Sequence, residues 1–355
     1  MSETGDLLQD SARRLFAGHC DQNLVARAEA GEWPGGLWHA IEEAGFAAAL
    51  VPEEAGGSGV GIADGLAVLR VAGGSCAPVP LAETMVANWL LAASGLRLEA
   101  GPHSIAPVTP YDGFVLEREE AGGWRLTGHA ARVAWAHQAR SIAVLALARG
   151  APMVVRLGRE HYTPVPGRNL AGEPRDAVSV DARLGQDAVA EAPRGFGPEQ
   201  LQLFGAATRT ILMAGALGEV LDMTVRYSQE RVQFGRPIGK FQAIQQNLAV
   251  LAGQAAAAGA AADLAQEAAA KGFNPLTIAA AKARVGEAAS IGAAIAHQVH
   301  GAIGFTQEHR LNHRTRRLWS WRDEFGSEAI WNRLVGEIAA KTGGEQLWAT
   351  ITAAG

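Results

Sequence analysis

The sequence predicts an α+β protein: helices first, a small β region in the middle, then helices again. Three observations carry this. Residues 4 to 105, and those from Gly197 onward, hold apolar runs at helical spacing. Between about 104 and 190 the apolar runs shorten and are divided by Gly and Pro, which is strand punctuation. From 252 to 270 alanine is dense, which favours helix intrinsically and allows close packing in a bundle. The 355 residues are 48% hydrophobic, ample for a buried core and ordinarily enough for two or three domains. The change of texture divides the chain at 1–105, 106–195 and 196–355.

In the first region, Leu7, Leu8, Ala12 and Leu15 fall on one helical face, as do Leu37, Ile41 and Ala44 before Gly45. Residues 46–54 form a short apolar piece stopped by Pro52 and the glycine cluster 56–61. Gly57-Ser-Gly59-Val-Gly61 is not a dinucleotide fingerprint. Its third glycine comes one place early, and Pro52 interrupts the strand that should precede it. A glycine-rich turn is expected there, with helices following near 63–73 and 80–94. The middle region offers strand candidates at 104–108, 114–118, 124–126, 142–148, 153–156 and 177–180. Helices are then expected at about 198–230, 239–271, 275–299, 307–321 and 326–341.

The formal net charge of -5 gives no global basic field, so nucleic acid is not an expected partner. The two cysteines, Cys20 and Cys76, have neither metal-ligand spacing nor a disulfide pattern and read as ordinary thiols of a reducing compartment. MSETGDLLQD lacks the basic and apolar segments of a secretory signal. The most apolar stretch, 248–270, contains Gln254, Asp263, Gln266 and Glu267, so no membrane span is expected. A soluble cytoplasmic protein is the expectation. His300 and His313 lack metal-ligand partners at useful spacing and read as structural, and no metal is expected.

The chain is organised around Arg226 to Gln245, RYSQERVQFGRPIGKFQAIQ. A long apolar-periodic run ends here in charge, an aromatic and Gly235-Arg236-Pro237, and a second run starts at Phe241. Gly and Pro break helices, so this reads as helix, tight turn, helix, with Arg231, Gln233, Phe234 and Gln242 at the tip. The Arg fork suits a phosphate or pyrophosphate, Phe offers a flat apolar face, and Gln hydrogen-bonds both ways. Read from the residues alone, a charged interhelical turn with a buried Phe stands beside that functional reading.

The string ERVQFGRPIGKFQ is similar to the arginine-to-glutamine turn of the acyl-CoA dehydrogenase family. Val51-Pro-Glu-Glu-Ala-Gly-Gly-Ser-Gly59 resembles that family's N-terminal signature, and Gln298-Val-His-Gly-Ala-Ile-Gly-Phe305 its glutamine-and-glycine flavin loop. All three occur in the family's order. The resemblance implies the family fold: an N-terminal helical domain, a small middle β domain and a C-terminal four-helix bundle. It also implies FAD, an acyl-CoA thioester substrate, an acceptor such as an electron-transfer flavoprotein, and a homo- or hetero-oligomer, dimer or tetramer. By the same resemblance Arg231 reaches the cofactor pyrophosphate of a neighbouring subunit, Phe234 packs on that cofactor and Gln242 bonds to it. Gln298, Gly301 and Ala302 form the later loop, where Ala302 replaces a usual glycine. Ser327 stands where a threonine usually directs its hydroxyl at the flavin. The middle region departs from the family. Its glycine-serine-rich segment is missing near 107–113, and Arg132 and Ala134 replace the tryptophan and threonine that cover the flavin ring, with Trp135 close by.

The family's base is a glutamate just before a glycine. Here that position falls on Phe325, before Gly326, while Glu324 and Asp323 lie one and two places earlier. Glu324 is the candidate base. The alternative places Asp323 and Glu324 in a structural charge cluster with Arg314, Arg316, Arg317 or Arg322. The second family position for a base falls near Gly205 and holds no carboxylate; the arginine found there in relatives is Ala206, with Arg209 one turn later. Two functions follow from the resemblance: an acyl-CoA dehydrogenase subunit with Glu324 as base, or a non-catalytic subunit completing a partner's FAD site. The second is the arrangement of heteromeric enzymes that act on sterol side-chain thioesters. The run 309–317 adds two readings of its own, attraction of CoA phosphates or a solvated helix face.

Overall fold

The computed structural model describes residues 2–109, 112–120 and 122–353. Five helices come first: α1 (Glu3–His19), α2 (Gln22–Glu29), α3 (Gly35–Glu43), α4 (Ile62–Ser75) and α5 (Leu81–Ala93). Eight strands follow: β1 (His103–Ile105), β2 (Gly113–Arg118), β3 (Trp124–Ala134), β4 (Ser141–Ala148), β5 (Ala151–Gly158), β6 (Thr163–Val165), β7 (Arg175–Leu184) and β8 (Val189–Glu191). The chain then forms α6 (Pro198–Glu230), a small hairpin of β9 (Val232–Gln233) and β10 (Arg236–Pro237), and α7 (Gln242–Ala270). It ends with α8 (Pro275–His300), α9 (Arg310–Asp323), α10 (Glu328–Thr342) and α11 (Gly344–Ala353). The order is the expected one: helices, sheet, helices. Compactness divides the chain differently from texture, into one body of residues 1–26, 66–77 and 206–355 and another of 27–65 and 78–205. Both bodies are discontinuous, and the divisions after residues 26, 65 and 205 fall inside α2, α4 and α6.

In the second body the sheet runs β6-β7-β3-β2-β4-β5-β8, with β1 parallel to β4. β3 is far longer than its apolar run, Trp124 to Leu126, suggests. It alternates Leu126, Ala130 and Val133 inward with exposed polar residues, and pairs with β7 from Trp124↔Leu184 to Ala134↔Arg175 across a bulge. An alternating strand with one wet face shows few consecutive apolar residues. α5 is buried along its length and bonded by its polar groups: Thr84 Oγ1 donates to His103 O (2.9 Å) and Asn88 Nδ2 to Ala47 O (3.0 Å). The glycine cluster 56–61 is an irregular turn leading into α4, with no strand before it.

The first body is helical. α7 and α8 pack side by side, and α8 also packs on α9 and α10. The buried face of α7 is almost wholly alanine, from Ala258 to Ala269. Among the described residues α7 is the helix long and apolar enough to cross a bilayer. Its Asp263 nonetheless pairs with Arg70 of α4 at 2.7 Å.

Three readings are corrected. α1 buries Gly5, Gln9, Ala12 and Phe16 and leaves Leu7 64% exposed, so its inward face is turned from the expected one. Phe16 has the most apolar surface to remove from water and sets the rotation. The run 309–317 is not a solvated face: His313, Arg314 and Arg317 on α9 are buried, with Arg317 at 0% exposure. Finally, α11 follows α10 after Gly343 and was not expected.

Candidate functional site

The hairpin after α6 is built by backbone rules. Gln233 pairs with Arg236, leaving Phe234 and Gly235 as a two-residue loop with φ of 52° and 80°. Two successive positive φ values define the type I′ turn that fits the strand twist, and glycine takes the second at little cost. Phe234 takes the first, a conformation costly for an aromatic residue. Its ring is 92% exposed and meets Phe241 edge-on at 6.1 Å, while Arg236 lies over Phe241 at 4.3 Å. Arg231, Gln233 and Gln242 are exposed with it. The reading of a turn with a buried Phe is therefore overturned. Arg231 and Gln242 make no side-chain hydrogen bond or ion pair among the described residues, so their donors are unspent.

The second stretch joins the hairpin through a residue that the motifs did not single out. Tyr227, one turn before the end of α6, stacks on His300 (4.4 Å, 22°) and donates its hydroxyl to His300 O at 3.3 Å. His300 closes α8. Gly301 then turns the chain with φ 64° and ψ −146°, a region open only to glycine, and Ala302 follows exposed in a short 3-10 turn. Gln298 is exposed on the last turn of α8. His300 Nδ1 contacts Ala296 O at 2.8 Å, and its buried Nε2 has no partner among the described residues. His309 lies beside it at 4.9 Å, and His297 stacks between Phe305 and Trp319.

Burial pushes His300 down to about 4 from the usual 6.5, and it lowers His297 and His309 in the same direction. Such a histidine binds its proton later in the folded chain than in the unfolded one. Stability is therefore lost as pH falls from 6.5 towards 4 and is unchanged by this group above 6.5. Urea unfolding at pH 7 and pH 4.5 is expected to show this loss, up to roughly 3 kcal/mol from His300. His300→Phe keeps the stacking on Tyr227 and should flatten the slope. An equal slope in that variant would place the effect elsewhere.

The third stretch is the turn between α9 and α10. Glu324 is reached from a different helix. Its Oε2 accepts from Arg209 Nε of α6 at 2.6 Å, and Arg209 is 3% exposed. Arg209, brought from 115 residues away, is a partner that the expected charge cluster did not include. Arg322 pairs instead with Glu328 at 2.7 Å, and Arg314 lies nearest Glu219 at 3.8 Å. Phe325, at the position counted for the base, has φ 55° and receives the Arg209 guanidinium over its ring at 5.3 Å. Lys282 of α8 fixes the same turn from below. Its ammonium donates to Arg322 O (2.6 Å) and Gly326 O (3.0 Å), and burial pushes it down to about 7. Trp331 Nε1 also donates to Gly326 O, at 3.1 Å. Ser327 is the N-cap of α10, yet its hydroxyl makes no capping bond. That hydroxyl is free to serve a ligand.

In the sheet body, Trp135 is 5% exposed at φ 48°, with Arg175 over its ring at 4.9 Å. It is an internal residue of that body, while Arg132 is exposed and Ala134 buried. The abbreviated segment 107–113 includes residues 110 and 111, which lie outside the described ones. Among the described residues there is no cluster of three His, Cys, Asp or Glu able to hold a metal.

Comparison with known proteins follows the same lines. Residues 2–97 match the model of the acyl-CoA dehydrogenase N-terminal domain, and residues 202–339 that of the acyl-CoA dehydrogenase C-terminal domain. The chain is 30% identical over 325 residues to the acyl-CoA dehydrogenase IpdE2 of Mycolicibacterium smegmatis, covering 88% of this chain and 91% of that one. Its fold is that of a chain in the ChsE4-ChsE5 complex from Mycobacterium tuberculosis, with TM-score 0.83 and 22% identity over 97% of this chain and 99% of that one. A variant of the steroid ACAD Tcur3481-Tcur3483 matches with TM-score 0.83 and 23% identity, over 96% and 98%. The fold and site thus define a flavoprotein-type dehydrogenase architecture. The chain belongs to the acyl-CoA dehydrogenase family.

Proposed function

We propose that this chain is the FAD-completing, base-lacking subunit of a heteromeric acyl-CoA dehydrogenase that acts on a steroid-derived acyl-CoA thioester. One observation carries the reading. The carboxylate nearest the base position is held by a buried guanidinium at 2.6 Å, and the base position itself is a phenylalanine. A general base needs a carboxylate aimed at the proton it removes, and the short bond to Arg209 fixes the direction of this one.

FAD is the cofactor. The residues present fit it: an exposed phenyl ring held out at the hairpin, uncommitted polar ends on Arg231, Gln242 and Gln298, a glycine-only turn at Gly301 with Ala302 beside it, and an unbonded hydroxyl on Ser327. When bound, FAD supplies the acceptor for the β-hydride of the thioester. Arg231 would neutralise pyrophosphate charge and Phe234 would cover an apolar face. Gln242 and Gln298 would fix orientation. The exposure of Phe234 at the hairpin tip supports a site shared with a neighbouring subunit. Electrons would leave to an electron-transfer flavoprotein. The steroid substrate class rests on the Tcur3481-Tcur3483 likeness, and the own-base reading has no separate observation in its favour.

Flavin content decides between them. The chain purified alone should be colourless and inert to acyl-CoA, and should become yellow when co-expressed with a related base-bearing subunit. Glu324→Gln should leave the turnover of that assembly within about twofold. A yellow chain whose flavin is bleached by acyl-CoA alone, with bleaching lost in Glu324→Gln, would overturn the reading.

A further inference from the structure

Away from the stretches above, α1, α4, α6 and α9 enclose a cavity of about 520 Å³ within the helical body. That is the size of a metabolite site. Its charged lining comprises Arg13, Arg70, Arg310 and Arg314 with Asp21, Glu219 and Asp222. The arginines are under-used. Arg314 is 9% exposed, its Nε has no hydrogen-bond partner among the described residues, and its nearest carboxylate, Glu219, is 3.8 Å away. A buried guanidinium with a distant counter-charge and an unmade bond carries a desolvation cost that an anion would offset. Arg70 spends its terminal nitrogens on Asp263 and Gly259 O, but its buried Nε is also without a partner among the described residues. Arg310, one turn before Arg314 on the same face of α9, is exposed and makes no ion pair among the described residues.

We propose that this cavity binds a small organic oxyanion, a carboxylate or a phosphate ester, through Arg314 and Arg310, with Arg70 also in the lining. Glu219 and Asp222 bear on the choice of ligand. They would repel a polyanion, which leaves room for a single oxyanion whose own hydroxyl or amine they accept from. Phe16 and Val71 line the remaining wall and suit an apolar body. The proposal stands apart from the assembly reading because it uses none of the hairpin or turn residues.

Calorimetry on the full chain tests it, with inorganic phosphate and lactate as separate probes. Saturable binding of at least one is expected, with phosphate alone indicating a phosphate ester and lactate alone a carboxylic acid. Arg310→Gln, at an exposed position that leaves the fold intact, should weaken binding about tenfold, as should Arg314→Gln. Arg231→Gln, which removes the anion-seeking group of the hairpin, should not change it. Absence of saturable binding, or binding that survives Arg310→Gln and disappears with Arg231→Gln, overturns the proposal.

Discussion

Phe234→Ala is expected to strip FAD from the assembled protein while leaving the unfolding of the chain itself unchanged. The ring is 92% exposed and meets Phe241 edge-on, so truncating it removes little folded-state packing. Against a cofactor, the same ring would bury its full face. Losing that contact costs about 1–3 kcal/mol, or roughly ten- to a hundredfold in affinity. Reconstitution of the stripped assembly with FAD, followed by flavin fluorescence, gives the affinity, and thermal unfolding of the isolated chain gives the control. Unchanged FAD affinity in the variant would remove the hairpin from the cofactor site. A lowered melting temperature without an affinity change would make Phe234 a structural residue.

The largest effect on folding should come from Gly215→Ala. A Cβ there would sit 1.8 Å from the backbone carbonyl oxygen of Arg70, and at Gly73 one would sit 2.1 Å from that of Leu212. α4 and α6 therefore cross backbone to backbone, with no flexible side chain to move aside. Overpacking at such a crossing costs about 3 kcal/mol. Gly218, one turn on in α6, has open space at its Cβ. Gly218→Ala should stabilise by about 0.5–1 kcal/mol through helix propensity alone. Urea denaturation of the two variants side by side checks both signs. A neutral Gly215→Ala would mean that the helices do not approach so closely.

The order of elements was legible because it depends on local signals: alanine density for α7, Gly and Pro punctuation for the sheet, and Gly235-Arg236-Pro237 for the break after α6. The ends of the predicted helices fall within a few residues of those observed. What the sequence hid is long-range. Glu324 has four arginines within ten residues on α9, and its carboxylate finds Arg209 on another helix. Nothing in local spacing signals that choice. Lys282 is likewise an ordinary-looking lysine in an alanine-rich helix, and only the fold places it beneath the carbonyls of Arg322 and Gly326. Tyr227 lies inside the motif stretch, but its stacking on His300 requires α6 and α8 to be neighbours. α1 was misjudged because Phe16, the residue that fixes its rotation, was left out of the counted face.

Phe234 in its left-handed conformation has one more consequence. The loop projects its ring by main-chain geometry, with the strand pair on either side and the Ile238 N–H donating to Arg231 O at 2.8 Å to close the hairpin. On the proposed function, the surface offered to the cofactor is thus already set before anything docks, and little ordering entropy remains to be lost on contact. Capture should then proceed at a rate governed by encounter rather than by loop rearrangement, with residence time set by how well the ring and guanidinium are matched.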